Sequence, residues 1–434
     1  MKKYPKYKNS GIAWLGDIPE HWGYSKLKKI ANFRRGSFPQ PYGLAKWYDD
    51  ENGFPFIQVF DVGKNMKLKP TTKRKISLEA TKKSVFIKKG TLVLTLQGSI
   101  GRLAVTHYDA YIDRTLLIFQ SYNVPIDINY FKHIVAILFE FEEKKAVGST
   151  IKTINKEKLS SFILTIPPKQ EQTAIANFLD YKLEKIDRFI TKKKQLITLL
   201  KEQKAAIINQ AVTKGLNPNT KLKPSGIEWL GDIPERWEVR KLKYSVRLNK
   251  HISFDKDENS KNKIALENIE GKTGRILELN ENPFEGVGTI FKKGDILFGK
   301  LRPYLAKVVT PDFEGSCVNE LLVLSPKKND WLPEFLKYRM LSGDFISIVD
   351  NSTYGAKMPR ASWSFIGGLK ISKPSISEQK QIVTHIQTET KKIAKTITTI
   401  AKEIALVEEY KTALIAEAVT GKIDVRAFEL NKND

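Results

Sequence analysis

The stretch Ser10–Trp22 reads SGIAWLGDIPEHW, and Ser225–Trp237 reads SGIEWLGDIPERW. Eleven of the 13 positions are identical, and the differences fall at the fourth and twelfth positions. Chance does not produce such a match within one chain of 434 residues, so the chain contains an internal repeat. Whatever structure surrounds the first copy is therefore expected again around the second.

A second matched pair closes each half of the chain. PPKQEQ at 167–172 opens a segment that ends in AVTKG at 211–215, and PSISEQ at 374–379 opens one that ends in AVTGK at 418–422. The distance from Glu171 to Glu378 and from Ala211 to Ala418 is 207 residues in both cases, so these segments align without a gap. The tryptophan elements are 215 residues apart, so the sequence between the copied elements differs in length by about eight residues.

The copied closing segments are predicted to be long helices. Each starts after a proline, has Glu171 or Glu378 in its first turn, and ends at Gly215 or Gly421, which is typical of a helix with a favourable dipole and a glycine stop. An apolar residue recurs every seven residues in the second segment, which indicates a coiled-coil seam: Ile386, Ile393, Ile400, Val407 and Leu414. A helix with one apolar stripe needs a partner, and the other copy is the expected one. Packing of each stripe on its own globular domain is the alternative.

The segments between the copied elements, about 24–160 and 239–366, are predicted to be α+β. Short apolar runs such as TLVLTL at 91–96 and ELLVL at 320–324 alternate with turns that contain glycine and proline. A weaker match survives between them, because IKKG at 87–90 and FKKG at 291–294 each precede an apolar run followed by a polar loop. We therefore expect one shared fold with diverged surfaces.

Composition points to a polyanionic partner. Lys and Arg number 73 against 48 Asp and Glu, which gives a net charge of +25 and favours nucleic acid over an anionic membrane. A solvated, lysine-rich surface is the alternative. No apolar run approaches the ~18 residues that cross a bilayer, and no secretory signal follows Met1. Cys317 is the single cysteine, which excludes an internal disulfide and predicts a cytoplasmic protein.

A search for catalytic motifs favours a binding protein over an enzyme. GDILFGK at 294–300 resembles a phosphate-binding loop, but Leu301 follows where Ser or Thr should hold magnesium. Asn282-Pro283-Phe284 lacks the second proline of the methyltransferase motif. The five histidines show no spacing typical of metal ligands.

The WLGDIPxxW elements, the PxxxEQ helix starts and the AVT helix ends resemble the specificity subunit of type I restriction–modification systems, over essentially the whole chain. The resemblance implies an α+β fold with two target recognition domains, separated by two long helices that form an antiparallel coiled coil with a pseudo-twofold internal repeat. The implied segments are a first target recognition domain at 1–160, a first long helix at 161–216, a second domain at 217–366 and a second long helix at 367–434.

The resemblance also implies partners and a division of labour. This chain would recognise a bipartite site in double-stranded DNA and have no catalytic residue, metal or cofactor of its own. DNA methyltransferase (modification) subunits would bind S-adenosylmethionine and methylate adenine, and ATP-dependent restriction/translocase subunits would use ATP and Mg²⁺. No membrane is expected to take part.

Polar residues that follow strands or lie near domain edges are the predicted DNA contacts, because cations position phosphates and amides or guanidiniums pair with base edges. They are Arg34, Arg35, Gln97, Ser99, Arg102 and Lys152 in the first domain, and Asn249, Lys250, Lys300, Arg302, Tyr304 and Lys357 in the second. Gly98 and Gly101 are expected to form turns, and the four repeated tryptophans to pack internally. Two alternatives stay open: a stand-alone DNA-modifying enzyme and a coiled-coil assembly protein.

Overall fold

The computed structural model describes residues 2–63, 66–98, 100–145, 156–253, 262–279, 284, 286–327, 329–355 and 357–428. Its contacts divide the chain into two compact units. Unit 1 comprises Met1–Lys192 together with Glu403–Asp434, and unit 2 is the continuous stretch Lys193–Lys402. Within this described part, no helix is both long enough and apolar enough to cross a membrane.

The helices differ widely in length, and the fifth and tenth are the long ones. In chain order they are α1 (Leu27–Ile30), α2 (Leu78–Thr81), α3 (Ile128–Lys145), α4 (Lys156–Ser161), α5 (Lys169–Lys214), α6 (Leu242–Ser245), α7 (Pro333–Leu341), α8 (Gly343–Asn351), α9 (Trp363–Gly368) and α10 (Ile376–Val419). Short 3-10 helices lie at Ala45–Trp47, Val59–Asp61, Glu228–Leu230, Leu266–Asn268 and Pro303–Leu305.

The two long helices confirm the heptad prediction. Helix α5 has 46 residues and α10 has 44, and the stripe residues Ile386, Ile393 and Ile400 of α10 are buried. Gly215 follows α5 with a φ of +77°, and Gly421 follows α10 with a φ of +75°. That left-handed backbone is easiest for glycine and ends the helix, as the sequence predicts.

The helices pack against each other in antiparallel fashion. In unit 1, Leu179 near the start of α5 shares a core with Leu414 and Ala418 near the end of α10. In unit 2, Ile208 near the end of α5 shares a core with Ile386 near the start of α10. The start of one helix therefore meets the end of the other, which matches the arrangement that the resemblance implies.

The strands of unit 1 form two four-stranded sheets and two pairs. They are β1 (Tyr7–Asn9), β2 (Asp17–Pro19), β3 (Gly23–Lys26), β4 (Ala31–Arg35), β5 (Phe54–Ile57), β6 (Arg74–Ile76), β7 (Val85–Ile87), β8 (Leu92–Thr95), β9 (Leu103–Val105), β10 (Ala110–Ile112), β11 (Leu116–Tyr122) and β12 (Ile163–Ile166). The sheet orders are β4-β11-β8-β9 and β6-β5-β10-β7, and β1 pairs with β2 and β3 with β12.

The strands of unit 2 repeat most of this plan. They are β13 (Leu222–Pro224), β14 (Asp232–Pro234), β15 (Glu238–Lys241), β16 (Val246–Asn249), β17 (Ile252–Ser253), β18 (Lys263–Ile264), β19 (Ile269–Glu270), β20 (Arg275–Ile276), β21 (Gly288–Phe291), β22 (Ile296–Gly299), β23 (Val308–Val309), β24 (Gly315–Cys317), β25 (Leu321–Pro326) and β26 (Lys370–Lys373). The sheet orders are β16-β25-β22-β23 and β17-β21-β24-β18, with pairs β13-β14, β15-β26 and β19-β20.

The two units share the topology of one sheet and of three strands of the other, as the weak match between their variable segments predicts. The sheet β16-β25-β22-β23 repeats β4-β11-β8-β9 strand for strand, with every neighbour antiparallel. In the other sheet, β18 runs parallel to β24 and β24 antiparallel to β21, as β5 does to β10 and β10 to β7. The variable segments therefore share an α+β fold and differ in the fourth strand of the second sheet.

A buried glutamine joins each domain to its long helix. The Gln172 side chain accepts a hydrogen bond from Asp127 N at 2.8 Å, and its amide donates to Pro125 O and Pro167 O. Gln379 repeats this pattern with Leu332 N at 2.8 Å and with Asp330 O and Pro374 O. Both side chains are fully buried, so every polar atom they carry needs these partners. The EQ motif thus fixes where the domain meets the helix.

Candidate nucleic-acid interface

Polar residues from three segments of unit 1 meet at one edge of the sheet β4-β11-β8-β9. Gly36 N donates to Leu116 O at 3.0 Å and Leu96 N donates to Thr115 O at 2.9 Å. These bonds bring the end of β4, the loop after β8 and the turn before β11 together. The predicted residues Arg34, Arg35 and Gln97 are exposed there, and Arg114 is exposed in the same turn.

A hydrogen-bonded network supports this edge, and sequence reasoning missed it. The Tyr42 hydroxyl donates to Asp113 Oδ2 at 2.9 Å and accepts from Gln58 Nε2 at 2.9 Å, while the Arg114 guanidinium lies 4.9 Å from the Tyr42 ring centre. The buried Asp113 also accepts from Thr115 N at 2.8 Å. Burial, followed by the Asp113 carboxylate, raises the pKa of Tyr42, so the phenol stays protonated. Three polar side chains and one cation are thereby held in fixed positions.

Cations over aromatic rings continue along this part of unit 1. The Lys73 ammonium lies 5.3 Å and the Lys69 ammonium 5.6 Å from the ring centre of Phe60, which closely follows Gln58 in the chain. The guanidinium of Arg74 lies 4.0 Å from the centre of Tyr48. Such pairs hold long basic side chains in place while their charge stays in solvent, which suits contact with phosphates.

The remaining predicted residues of unit 1 fall in different places. Arg102 is half-buried, and its Nη1 lies 3.4 Å from Val62 O. Gly98 and Gly101 have φ of +74° and +81°, which confirms them as turn formers. Ser99 and Lys152 lie outside the described residues.

Unit 2 has the same edge with different side chains. Lys300 N donates to Glu320 O at 3.0 Å, which repeats the bond from Leu96 N to Thr115 O in unit 1. The Arg360 guanidinium pairs with Glu320 Oε1, at 3.0 Å from Nη2 and 3.2 Å from Nε. Arg302 N donates to Pro359 O at 2.8 Å, so the loop that carries Arg360 covers this edge. Arg302 is exposed and adopts a left-handed backbone, with φ of +51°.

The structure separates the other predicted residues of unit 2. Lys250 and Lys357 are exposed. The half-buried Asn249 uses its amide within the fold, since Nδ2 donates to Ile290 O at 2.9 Å and Oδ1 accepts from His251 N at 3.0 Å. Tyr304 lines a cavity of about 340 Å³ that Ile208 of α5 also lines.

The residues that sequence reasoning missed come together only through long-range contacts. Tyr42 and Asp113 are 71 residues apart, and Arg360 and Glu320 are 40 apart. Only Arg114 carried a local signal, because it lies in a polar turn directly before an apolar strand. Unit 1 thus presents guanidinium and amide groups at this edge, and unit 2 presents an ammonium and guanidinium groups. Both sets suit base edges and phosphates.

Comparison with known proteins identifies the family. The model of the type I restriction modification DNA specificity domain matches residues 19–199 and 234–408, once in each half of the chain. The specificity subunit of the type I restriction enzyme EcoDI of Escherichia coli is 24% identical over 298 residues, which are 64% of this chain and 66% of that subunit. The MjaVIII specificity subunit of Methanocaldococcus jannaschii is 22% identical, and the match covers 94% of both chains.

Solved structures share the fold. One of them belongs to a description of complex assembly and conformational transition of the type I R-M system. It has a TM-score of 0.68 at 12% identity, and the match covers 94% of this chain and 99% of that one. The HsdS subunit of Thermoanaerobacter tengcongensis has a TM-score of 0.50 at 13% identity, over 94% of this chain and 98% of that one. With the family model matched in both halves, the chain belongs to the family of type I restriction modification DNA specificity domains and carries two copies of that domain.

Proposed function

We propose that this chain recognises a bipartite DNA sequence for a type I restriction–modification complex, with one half-site for each unit. The observation that carries the proposal is the sheet edge, which has the same backbone frame in both units and different side chains. Unit 1 has Gln58, Tyr42 and Arg114 at this edge, and unit 2 has Lys300 and Arg360. One scaffold with two sets of donors suits two different short sequences.

Partner subunits would do the chemistry. We propose that this chain holds no catalytic residue and no cofactor, and that modification subunits bind S-adenosylmethionine and methylate adenines in the recognised site. Restriction subunits would use ATP and Mg²⁺ to translocate and cleave DNA. The long helices, which join both units, are the surface that we expect these subunits to contact. A cytoplasmic location follows from these partners and stays a prediction.

Exchange of one variable segment tests the proposal. Residues 239–366 are replaced by the corresponding segment of another specificity subunit, and methylated adenines are mapped after assembly with the modification subunits. We expect one half of the recognised sequence to change and the other half to persist. The matched control replaces residues 24–160 and is expected to change the opposite half. A change in both halves after a single exchange would contradict the proposal.

Two point variants test the edge residues themselves. Tyr42→Phe removes the hydroxyl that joins Gln58 to Asp113, and Arg360→Ala removes the partner of Glu320. Loss of a well-placed base contact costs about 1–3 kcal/mol of discrimination. We expect Tyr42→Phe to relax base preference in one half-site and Arg360→Ala in the other, as measured by selection from randomised oligonucleotides. If both variants affect the same half, the assignment of one half-site to each unit is wrong.

The purified chain alone separates this function from the other two classes. Incubated with DNA, Mg²⁺, ATP and S-adenosylmethionine, it is expected to bind DNA without methylating or cleaving it. Because phosphate contacts release counterions, binding should weaken steeply as salt rises. Methylation or cleavage without partners would identify an enzyme, and the absence of any DNA complex at low salt would identify an assembly protein.

A further inference from the structure

Each unit contains a tryptophan–glutamate pocket, formed by Trp22 and Glu171 in unit 1 and by Trp237 and Glu378 in unit 2. In unit 1, the Trp22 indole donates to Glu171 Oε2 at 2.9 Å, and the Tyr4 hydroxyl donates to the same oxygen at 3.0 Å. The Tyr4 ring lies edge-on to the Trp22 ring, with ring centres 5.6 Å apart. The Arg426 guanidinium lies 4.8 Å from the centre of the Tyr4 ring. Tyr4 is 3% exposed, so its ring fills this pocket.

In unit 2 the same pocket is a cavity of about 550 Å³. Trp237 and Glu378 line it together with Arg236 and Pro234, which correspond to Trp22, Glu171, His21 and Pro19 of unit 1. Asn219 also lines it and stands where unit 1 has Tyr4, because each lies three residues before the strand that pairs with the DIP segment. The asparagine side chain is too short to reach where the phenol hydroxyl reaches in unit 1.

The indole N–H of Trp237 is a buried hydrogen-bond donor whose acceptor is missing among the described residues. Trp237 is 1% exposed, and its Nε1 has no hydrogen-bond acceptor among the described residues. Buried donors are nearly always paired, and leaving one unpaired costs about 1–3 kcal/mol of protein stability. In unit 1 the equivalent indole N–H of Trp22 donates to the Glu171 carboxylate, which the Tyr4 hydroxyl also contacts. A hydroxyl donor that orients the Glu378 carboxylate would restore the same arrangement in unit 2.

We propose that this cavity binds the tyrosine side chain of another polypeptide, with its hydroxyl donating to Glu378. The Pro234 and Trp237 rings supply flat apolar walls for an aromatic ring, and Arg236 and Lys221 line the cavity where a cation can face that ring, as Arg426 faces Tyr4. The Glu378 carboxylate disfavours an anion in the same space. The proposal does not depend on DNA recognition.

Ligand-observed NMR on the full chain tests the proposal, with N-acetyltyrosinamide and N-acetylphenylalaninamide as probes. We expect saturable binding of the tyrosine probe near the millimolar range and about tenfold weaker binding of the phenylalanine probe, which lacks the hydroxyl that bonds to a charged acceptor. Asn219→Tyr places in unit 2 the side chain that unit 1 already has. It should abolish binding of the tyrosine probe and raise the unfolding temperature.

The reciprocal variant is the matched control. Tyr4→Asn, checked for retained folding by circular dichroism, opens the pocket of unit 1 and should add a second site for the tyrosine probe. Absence of saturable binding, equal binding of the two probes, or binding unchanged by Asn219→Tyr would each overturn the proposal. Displacement of the tyrosine probe by inorganic phosphate would also overturn it, because it would identify an anion site.

Discussion

The two units have the same central sheet, but their second sheets end in different strands. In unit 1 the fourth strand, β6, extends the sheet beside β5, whereas in unit 2 the fourth strand, β17, extends it beside β21. The paired residues in the middle also differ: Phe56 opposite Tyr111 in unit 1 becomes Lys263 opposite Ser316 in unit 2. Phe56 packs with Phe38 and Trp47 in a buried aromatic cluster of unit 1. The second sheet therefore differs between the units in strand order and side chains, whereas the first sheet, β4-β11-β8-β9 or β16-β25-β22-β23, packs in one core with the long helices in both units.

The residues that join each domain to its long helix are, in contrast, nearly the same in the two units. Gln172 and Gln379 make the same set of hydrogen bonds, and β3 pairs with β12 as β15 pairs with β26. One exception stands out in this shared region. Glu171 has three polar neighbours in unit 1, whereas Trp237 beside Glu378 has no acceptor within the described residues.

The largest expected difference is between Glu171→Ala and Glu378→Ala. Removal of Glu171 leaves the buried Trp22 N–H and Tyr4 O–H without an acceptor, which costs about 2–5 kcal/mol in total. Removal of Glu378 leaves the Trp237 N–H as it was, so we expect a loss below about 1 kcal/mol. Urea unfolding of the two variants measures both free energies. Equal losses would mean that Glu378 accepts a hydrogen bond from the Trp237 N–H in solution, which would contradict the structure.

A smaller difference is expected between the glycines that end the long helices. Both have a left-handed backbone, so alanine costs about 1–2 kcal/mol at either position. A Cβ at Gly421 would also clash with the Pro19 ring, whereas at Gly215 its nearest neighbour is the flexible Glu378 side chain at 3.3 Å. Gly421→Ala should therefore lower the free energy of unfolding by about 1–3 kcal/mol more than Gly215→Ala. Thermal and urea unfolding of the pair check this, and the reverse order would contradict it.

The sequence predicted the scaffold better than the surfaces. The copied PxxxEQ starts, the seven-residue spacing from Ile386 to Leu414 and the glycines at 215 and 421 were sufficient to predict both long helices and their stops, because these signals are local and regular. Sheet order was not predictable, since strands such as β4 and β11 are short and pair across about 80 residues. Apolar periodicity says which face of a strand is buried, but it does not say which strand lies beside it.

The interface shows the same limit. Arg34, Arg35, Gln97, Lys300 and Arg302 were chosen because polar loops follow apolar runs, and the structure places Arg35 and Gln97 at one edge. Their contact with bases stays a prediction. Tyr42 and Arg360 were missed because their partners, Asp113 and Glu320, are distant in the chain. Asn249 was chosen for its amide, but that amide bonds to the backbone of its own unit.

The smallest expected effect concerns pH and one more matched position. His133 of α3 and Tyr338 of α7 lie six residues after the amides that bond to Gln172 and Gln379, so the two side chains are equivalent. Burial lowers the pKa of His133 despite its contact with Asp180, 3.4 Å away, and Lys132 and Lys411 oppose protonation as well. The folded state therefore keeps the imidazole neutral at pH values where the unfolded chain takes up a proton.

The sign of the pH effect follows from that difference. Well above the unfolded pKa of about 6.5 both states are neutral and His133 contributes no pH dependence. As the pH falls through that value the unfolded state alone binds the proton, so stability falls with pH until the folded pKa is reached. Between pH 7 and pH 6 the loss is about 0.7 kcal/mol for one histidine. We expect His133→Asn to remove this contribution from the pH dependence of urea unfolding of the full chain, whereas Tyr338→Phe should leave it unchanged. A slope that persists in His133→Asn would assign the proton to another group, because the asparagine side chain does not titrate.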